Sequence, residues 1–222
     1  MAEGKTLERR LQQILKEWID PYLKSLGFMK RSFTYTRPFE ELYWLLNIQR
    51  SQWNTSSVNE FTLNLGVYVP GVNALLSGNE PKYPAIYHCV FHLRLGELAF
   101  GHDHWWVIRS NDSDPLRTDR TIGEEIKTLL EQHAIPFLGR FQTIRDVTVY
   151  LEELGKQQKR QVTWPASDFW LYIYLGILYW MMGNQEMCCI MMDKAFEEAK
   201  TSRVEGMLDI IQSLYNSLCN VS

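Results

Sequence analysis

The residues best suited to chemistry follow one another directly: His102, Asp103 and His104, then Trp105 and Trp106. Imidazole and carboxylate groups are ordinary ligands of zinc and non-haem metals, so His102, Asp103 and His104 form a candidate metal site. Nothing in this spacing requires the three side chains to converge on one ion. The alternative is that Trp105 and Trp106 anchor a loop in which Asp103 caps a backbone turn.

A second set of polar residues occupies alternating positions in segments with strand-like sequence. Alternation places such residues on one face of a sheet, opposite the apolar face. The predicted polar face carries Asn47, Gln49, Asn64, Tyr68, His88, His92 and Arg94. These groups suit a ligand or a peptide carboxylate, which Arg94 would hold with two hydrogen bonds. The ordinary solvated face of an antiparallel sheet has the same pattern, so both interpretations remain open.

Signatures of covalent catalysis and nucleotide binding are absent from the sequence. No serine or cysteine stands in a GxSxG elbow, and neither GxxxxGK nor GxGxxG occurs. Cys89 falls on the apolar side of its strand, where a thiol is usually inert. The sequence therefore predicts no catalytic residue and no cofactor.

The four cysteines lack the CxxC spacing of zinc or redox sites. Cys188 and Cys189 are adjacent in a predicted helix, so they are expected to point to different sides. We expect buried free thiols in a reducing compartment, which indicates a cytoplasmic protein. The N-terminal segment has no signal-peptide core.

Charge and hydropathy bear on the classes of partner. The net charge is −3, so no overall basic field attracts nucleic acid. The basic run 156–160 is interpreted as part of a charged linker over 155–163. The most apolar stretch, Phe169–Met182, is shorter than the roughly 20 residues that a membrane-spanning helix needs. The sequence predicts neither a nucleic-acid nor a membrane partner.

Periodicity predicts the elements that position these residues. A helix is expected over residues 5–19, then alternating strands within 33–37, 41–51, 61–69, 87–95 and 105–108. The short connections favour an antiparallel meander. One helix is expected from Thr121, which resembles a capping box together with Glu124, and a second helix is expected from Thr143. Residues 1–155 are therefore predicted to form an α+β domain, an antiparallel β-meander of four to five strands packed with helices.

The C-terminal part, residues 164–222, is predicted to be a helical extension docked on the first domain. Three helices are expected, over 168–182, 184–200 and 202–219. Leu175, Gly176, Tyr179 and Ala195 fall at offsets similar to one tetratricopeptide repeat. A small residue such as Gly176 lets two helices approach closely, and a single repeat needs a cover for its apolar face.

The order of several segments resembles a known family. The segments are Leu26-Gly27-Phe28, Phe33-Thr34-Tyr35, Asn47-Ile48-Gln49-Arg50-Ser51, Phe61-Thr62-Leu63-Asn64-Leu65-Gly66-Val67-Tyr68, Arg94-Leu95-Gly96-Glu97-Leu98, and Asp103 with Trp105-Trp106. Together they resemble the bacterial family catalogued as domain of unknown function 4304, over about residues 7–140. The resemblance implies a cytoplasmic α+β protein without assigned catalytic residues. It places Gln49, Asn64, Arg94, Asp103, Trp105 and Trp106 among the family's characteristic positions. The alternative to a binding role is a structural one, in which Arg94 and Asp103 form a buried pair near Trp105.

Three functional hypotheses follow. The first is a non-catalytic protein-interaction module, of immunity type by association of some relatives with toxin–immunity systems. The second is a small-ligand-binding protein. The third is a metal-dependent hydrolase that uses the His102-Asp103-His104 loop.

Overall fold

The computed structural model describes residues 2–157 and 163–220, with the side chains of 2–5 and 205 left out. The described strands are β1 (Met29–Arg31), β2 (Thr34–Pro38), β3 (Tyr43–Arg50), β4 (Val58–Tyr68), β5 (Phe91–Arg94) and β6 (Trp106–Arg109). The described α-helices are α1 (Ala2–Ile14), α2 (Asp20–Ser25), α3 (Val72–Ser77), α4 (Leu95–Phe100), α5 (Pro115–Leu129), α6 (Ile135–Leu138), α7 (Ile144–Gly155), α8 (Asp168–Met181), α9 (Gln185–Thr201) and α10 (Glu205–Cys219).

The strands form one six-stranded sheet in the order β1-β2-β3-β4-β5, with β6 also paired to β4. β1 pairs antiparallel with β2, β2 with β3, and β4 with β6. The register of the last pair places Phe61 opposite Trp106. The predicted α+β architecture, an antiparallel sheet followed by C-terminal helices, is confirmed.

Proline shapes the two interrupted helices. A wider, π-type turn over Leu15–Ile19 joins α1 to α2, and another over Leu130–Ala134 joins α5 to α6. The second residues of α2 and α6 are Pro21 and Pro136. A proline has no N–H and its ring clashes with the carbonyl four residues earlier, so the wider turn lets the helix continue. The helix therefore continues past residue 19, where the sequence prediction placed its end, and it ends near Gly27.

The starts of β5 and α5 differ most from the sequence prediction. Tyr87 and His88 belong to a short 3₁₀ turn, Ile86–His88, so the strand predicted from residue 87 begins only at Phe91. α5 begins at Pro115, because the Asp114 side chain accepts a hydrogen bond from the Arg117 N–H (3.1 Å). Thr121, predicted as the N-cap, instead lies inside this helix.

The chain forms two compact units. The first contains residues 1–38, 43–66 and 93–140, and the second contains 39–42, 67–92 and 141–222. In the first unit, α5 contacts α1 and β6. Its buried apolar residues include Leu11, Ile14, Leu15, Leu46, Leu63, Leu65, Ile108, Ile126 and Leu130.

In the second unit, α8 contacts α7, α9 and the short helix α3. The rings of Phe91, Phe141 and Tyr150 pack with centroids 4.8–5.1 Å apart, which joins β5 to α7. The C-terminal helices share this unit with residues 67–92. The linker predicted over 155–163 lies in part, at 158–162, outside the described residues.

Cys189 of α9 and Cys219 of α10 form a disulfide, with their Cα atoms 5.6 Å apart. The prediction of four free thiols is wrong for this pair, because the antiparallel return of α10 brings together cysteines 30 positions apart. Cys89 and Cys188 are free and buried. Burial raises the pKa of the Cys89 thiol well above its ordinary value and that of Cys188 to about 11. Within the described residues, no helix combines the length and hydropathy needed to cross a bilayer.

Candidate functional site

The loop after α4 is held close to that helix by Gly96. A Cβ at this position would lie 2.6 Å from the backbone N of His104 and 3.0 Å from the carbonyl oxygen of His102. Since backbone atoms have little room to retreat, only glycine permits this approach. The Thr62 hydroxyl donates a hydrogen bond to the His104 carbonyl (2.8 Å) and ties the same loop to β4.

Arg94, Asp103 and Trp105 form a polar cluster at this loop, called the Arg94 cluster below. The Asp103 carboxylate accepts hydrogen bonds from Arg94 Nη1 and from Trp105 Nε1, the latter at 2.9 Å. The Arg94 guanidinium also lies 5.1 Å from the centre of the Trp105 ring. Such cation–π contact orients the ring. The Arg94 cluster therefore positions Trp105.

The two histidines of the loop pack as aromatic rings. His102 and His104 lie 5.8 and 5.2 Å from the Phe100 ring, and His104 lies 4.8 Å from the Trp106 ring. His102 Nδ1 is also within hydrogen-bond distance of the Asp103 carbonyl. Among the described residues, the only three side chains with converging ligand atoms are cysteines elsewhere in the chain. The structure therefore does not bring His102, Asp103 and His104 together around one ion.

An open groove of about 400 Å³ lies between β6 and α5. We call it the β6 groove. The strand side contributes two indole rings, and the helix side contributes a guanidinium and two hydroxyls. Its lining residues are His104, Trp105, Trp106, Val107, Arg117, Thr118, Thr121, Ile122 and Glu125.

Charges in and beside the β6 groove are unequally satisfied. Glu125 accepts a hydrogen bond from Trp106 Nε1 (3.1 Å), and Asp103 is paired with Arg94. The Arg117 side chain is exposed and makes no hydrogen bond or ion pair with any residue that the structure describes. The groove therefore offers one cation without a partner beside aromatic surface.

Four residues of the predicted polar face lie in the first unit. Asn47 donates to the Thr34 hydroxyl (3.0 Å), and Asn64 donates to Gln49 Oε1 (2.9 Å). Gln49 is exposed, whereas Asn64 is only 2% exposed. Asn64 Oδ1 is buried and accepts no hydrogen bond from the described residues. Arg94 Nε is also buried, and it donates none to them. Gln49 and Asn64 are thus brought together, and Arg94 belongs to its own cluster.

The remaining three lie in the second unit. Tyr68 is buried and donates to the Glu80 carboxylate, which also accepts from the backbone N–H groups of Gly71 and Ala74. His88 Nδ1 accepts from the Ala85 N–H (2.9 Å). Burial lowers the pKa of His88, and the charge of Glu80 opposes that change. The His92 backbone pairs with Trp164. Tyr68 and His88 therefore face internal partners.

Comparison with known families decides the classification. The family model of the domain of unknown function DUF4304 matches residues 19–140, more than half of the chain. The chain belongs to this family. The DUF4304 region contains both the Arg94 cluster and the β6 groove, and it ends before α7. No match was found among curated proteins or among solved structures.

Sequence reasoning missed the helix side of the groove in this DUF4304 region. Arg117, Thr118, Thr121 and Glu125 were assigned to a loop or to the start of a helix. The signal that predicts the true helix start is Asp114-Pro115, an N-cap residue followed by proline at the first helical position. Read this way, positions 117, 118, 121, 122 and 125 fall on one helical face.

Proposed function

We propose that the DUF4304 region is a non-catalytic protein-interaction module. Its β6 groove would bind an extended segment of a partner protein that carries an acidic side chain next to an apolar one. The observation that supports this proposal is the exposed Arg117, which has no partner among the described residues, in a groove that also presents the half-buried Trp105. The buried Trp106 forms part of the groove wall.

The chemistry of the groove favours this occupant. Arginine binds carboxylates through two parallel hydrogen bonds, and exposed arginine and tryptophan are the residue types that dominate binding energy at interfaces. The two acidic groups nearby, Glu125 and Asp103, already accept hydrogen bonds from Trp106 and Arg94. A carboxylate of the partner would therefore pair with Arg117, the guanidinium in the groove that has no partner among the described residues.

A small ligand is the alternative occupant. The groove volume of about 400 Å³ falls within the range of about 300–1,000 Å³ typical of ligand pockets. The groove is open to solvent between a strand and a helix, however. Such an open groove suits an extended peptide segment better than a small molecule, which usually binds in an enclosed pocket. A ligand that binds only the folded state would raise the unfolding temperature in a thermal-shift screen.

The broader setting is part of the same proposal. We infer that this is a bacterial, cytoplasmic protein of immunity type. Its partner would be the protein that it inhibits. The pair α8–α9 would be a single tetratricopeptide-like hairpin that serves as scaffold. Gly176 supports this, because a Cβ there would lie 2.7 Å from Met192 Cε and 3.3 Å from the Cys188 carbonyl oxygen.

Site-specific photo-cross-linking tests the proposal. A photoreactive amino acid replaces Thr118 in the groove, and in a second protein it replaces Glu124, an exposed residue of the same helix outside the groove. Each protein is irradiated in the source cells, and adducts are identified by mass spectrometry. We expect one defined protein adduct from position 118 and none from position 124.

A matched pair of charge reversals gives the control. Arg117→Glu removes the groove cation, whereas Arg120→Glu makes the same change at an exposed position outside the groove. The adduct should disappear with Arg117→Glu and persist with Arg120→Glu. Equal adducts from both variants, or no adduct from position 118, would contradict the proposal.

A further inference from the structure

Three cysteine sulfurs meet between α9 and α10, outside the DUF4304 region. The Sγ atoms of Cys188, Cys189 and Cys219 all lie within 4.8 Å of one another. Two of them form the disulfide, and the third is a free thiol whose sulfur lies within 4.8 Å of both bonded sulfurs. A structural cross-link needs two cysteines, so the third sulfur is not explained by the disulfide.

The geometry also suits metal binding once the disulfide is opened. Three sulfurs around a zinc ion with Zn–S bonds of about 2.3 Å lie roughly 4 Å apart, close to the spacing found here. The Cα atoms of Cys189 and Cys219 are 5.6 Å apart, which leaves room for the two sulfurs to separate without moving either helix. Soft thiolate ligands select soft cations such as Zn²⁺ and Cu⁺.

Access to the three sulfurs is graded. Cys188 is fully buried, whereas Cys189 and Cys219 are half-buried. A cation would therefore enter from the side of Cys189 and Cys219 and meet Cys188 last. The half-exposed side leaves a fourth position for water, as in zinc sites with three protein ligands.

We propose that Cys188, Cys189 and Cys219 form a redox-gated binding site for a soft d¹⁰ metal cation. In the oxidised chain the disulfide holds two of the three ligands and the site is closed. In the reduced chain three thiolates hold one cation between α9 and α10. In a reducing compartment, disulfides are usually transient and redox-sensing, which agrees with such a gate.

The gating step is thiol–disulfide exchange with a small thiol or dithiol reductant. Its thiolate attacks one sulfur of the Cys189–Cys219 bond, and a second thiolate of the reductant completes the reduction. Two electrons pass to the protein, which gains two thiols, and the reductant leaves as its disulfide. Metal binding then replaces three thiol protons, which are released to solvent.

Cobalt(II) absorbance tests the site in the full-length chain. The protein is reduced with a phosphine, desalted without oxygen and titrated with Co²⁺. We expect a thiolate-to-cobalt charge-transfer band that saturates at one equivalent and is lost when Zn²⁺ is added. The oxidised protein should show no band.

Variants assign the ligands. Cys188→Ala, Cys189→Ala and Cys219→Ala should each lose the band, while Cys89→Ala, a change at the other free buried cysteine, should keep it. Circular dichroism identifies any variant that fails to fold. A band that survives all three ligand changes would overturn the proposal.

A measurement on the wild-type chain avoids dependence on the variants. Alkylation of the reduced protein is followed by mass spectrometry with and without one equivalent of Zn²⁺. The metal should protect Cys189 and Cys219. Equal alkylation with and without Zn²⁺, or no cobalt band in the reduced protein, would show that the three cysteines serve only as a cross-link and a buried neighbour.

Discussion

At the scale of single residues, Arg10 donates hydrogen bonds to two carboxylates and to backbone carbonyl groups of the first unit. Its Nε donates to both carboxylate oxygens of Asp119 (3.0 Å each), and Nη2 donates to Asp112 (2.6 Å). Nη1 donates to the Arg109 carbonyl (2.7 Å). Burial lowers the pKa of Arg10, but the hydrogen bonds and charges of Asp119 and Asp112 more than offset that effect, so its pKa is raised. Arg10 therefore joins α1 to both ends of the segment 109–119.

Replacing Arg10 tests this role. Arg10→Met keeps the aliphatic stem and removes the guanidinium, which leaves the carboxylate of Asp119, 9% exposed, without its cation. We expect the free energy of unfolding to fall by about 3 kcal/mol in urea titrations at pH 7. Arg9→Met, at an exposed position of the same helix, should change it by less than about 0.5 kcal/mol. Equal losses in the two variants would show that the buried ion pairs contribute nothing.

At the scale of elements, the close approach of α8 and α9 depends on Gly176. The added methyl of Gly176→Ala would press on Met192, which is fully buried. Overpacking costs about 1–3 kcal/mol, and the higher helix propensity of alanine offsets up to about 1 kcal/mol, so we expect a net loss of up to about 2 kcal/mol in unfolding free energy. Gly206→Ala is the matched control, since a Cβ at that helical position meets no atom within 4 Å. It should leave stability unchanged or raise it by up to about 1 kcal/mol. Equal changes in unfolding free energy for the two glycine variants would show that the close approach at Gly176 does not affect stability.

The N-terminus of α7 gives a pH dependence at the same scale. Asp146 accepts hydrogen bonds from the Gln142 and Thr143 N–H groups and from the Thr143 hydroxyl (2.9–3.0 Å). Burial raises the pKa of Asp146, but the three hydrogen bonds together lower it by more than burial raises it. The pKa of Asp146 is therefore below its ordinary value. A depressed pKa stabilises the fold above the unfolded-state value, about 3.9, and that stabilisation is lost as pH falls through the folded-state pKa.

Asp146→Asn should therefore reduce stability at neutral pH and flatten the loss of stability below about pH 4. Chemical unfolding at several pH values between roughly 2 and 7 measures both effects, because this range includes the folded-state and the unfolded-state pKa of Asp146. Glu153→Gln, an exposed change in the same helix outside the cap, controls for the loss of one negative charge. An Asp146→Asn protein with the wild-type acid slope would show that the cap does not carry the dependence.

Local sequence signals predicted some elements well because their physics is local. The capping box of Thr143 and Asp146 is present, and α7 begins one residue later. Alternation located β2, β3 and β4 within a few residues. The start of α5 was missed because Thr121 and Glu124 imitate a capping box, although the Thr121 hydroxyl bonds to the Arg117 carbonyl within the helix. Residues 87–90 were wrongly predicted to be strand, because the alternation of residue types continues there while the backbone turns.

At the scale of the whole molecule, contacts distant in sequence account for what could not be predicted. The Arg94–Asp103–Trp105 contacts form when a loop closes on α4 at Gly96, and periodicity carries no signal for that closure. The β6 groove joins residues 104–107 to residues 117–125, and it exists only once α5 begins at Pro115. The disulfide likewise required the return of α10 along α9. The pairing of Arg94 with Asp103 near Trp105 was one of the alternatives drawn from the family resemblance, whereas the residues that α5 contributes to the groove were not predicted.

The disulfide gives a prediction for the chain as a whole. Reduction opens a loop closed over 30 positions, which in the chain-entropy account lowers stability by about 3–4 kcal/mol. Urea unfolding with and without a phosphine reductant measures the difference, in metal-free buffer. A Cys189→Ala, Cys219→Ala double variant should be insensitive to the reductant. The same wild-type unfolding midpoint with and without the reductant would contradict a disulfide in the folded chain.

In the proposed function, Arg117 in the β6 groove binds an acidic segment of a protein partner. Titration calorimetry with the partner identified by cross-linking at position 118 tests it most directly. Loss of a charge-assisted hydrogen bond predicts that Arg117→Glu binds at least about tenfold more weakly than wild type, while Arg120→Glu binds within about twofold. Equal affinities for Arg117→Glu and Arg120→Glu would contradict the claim.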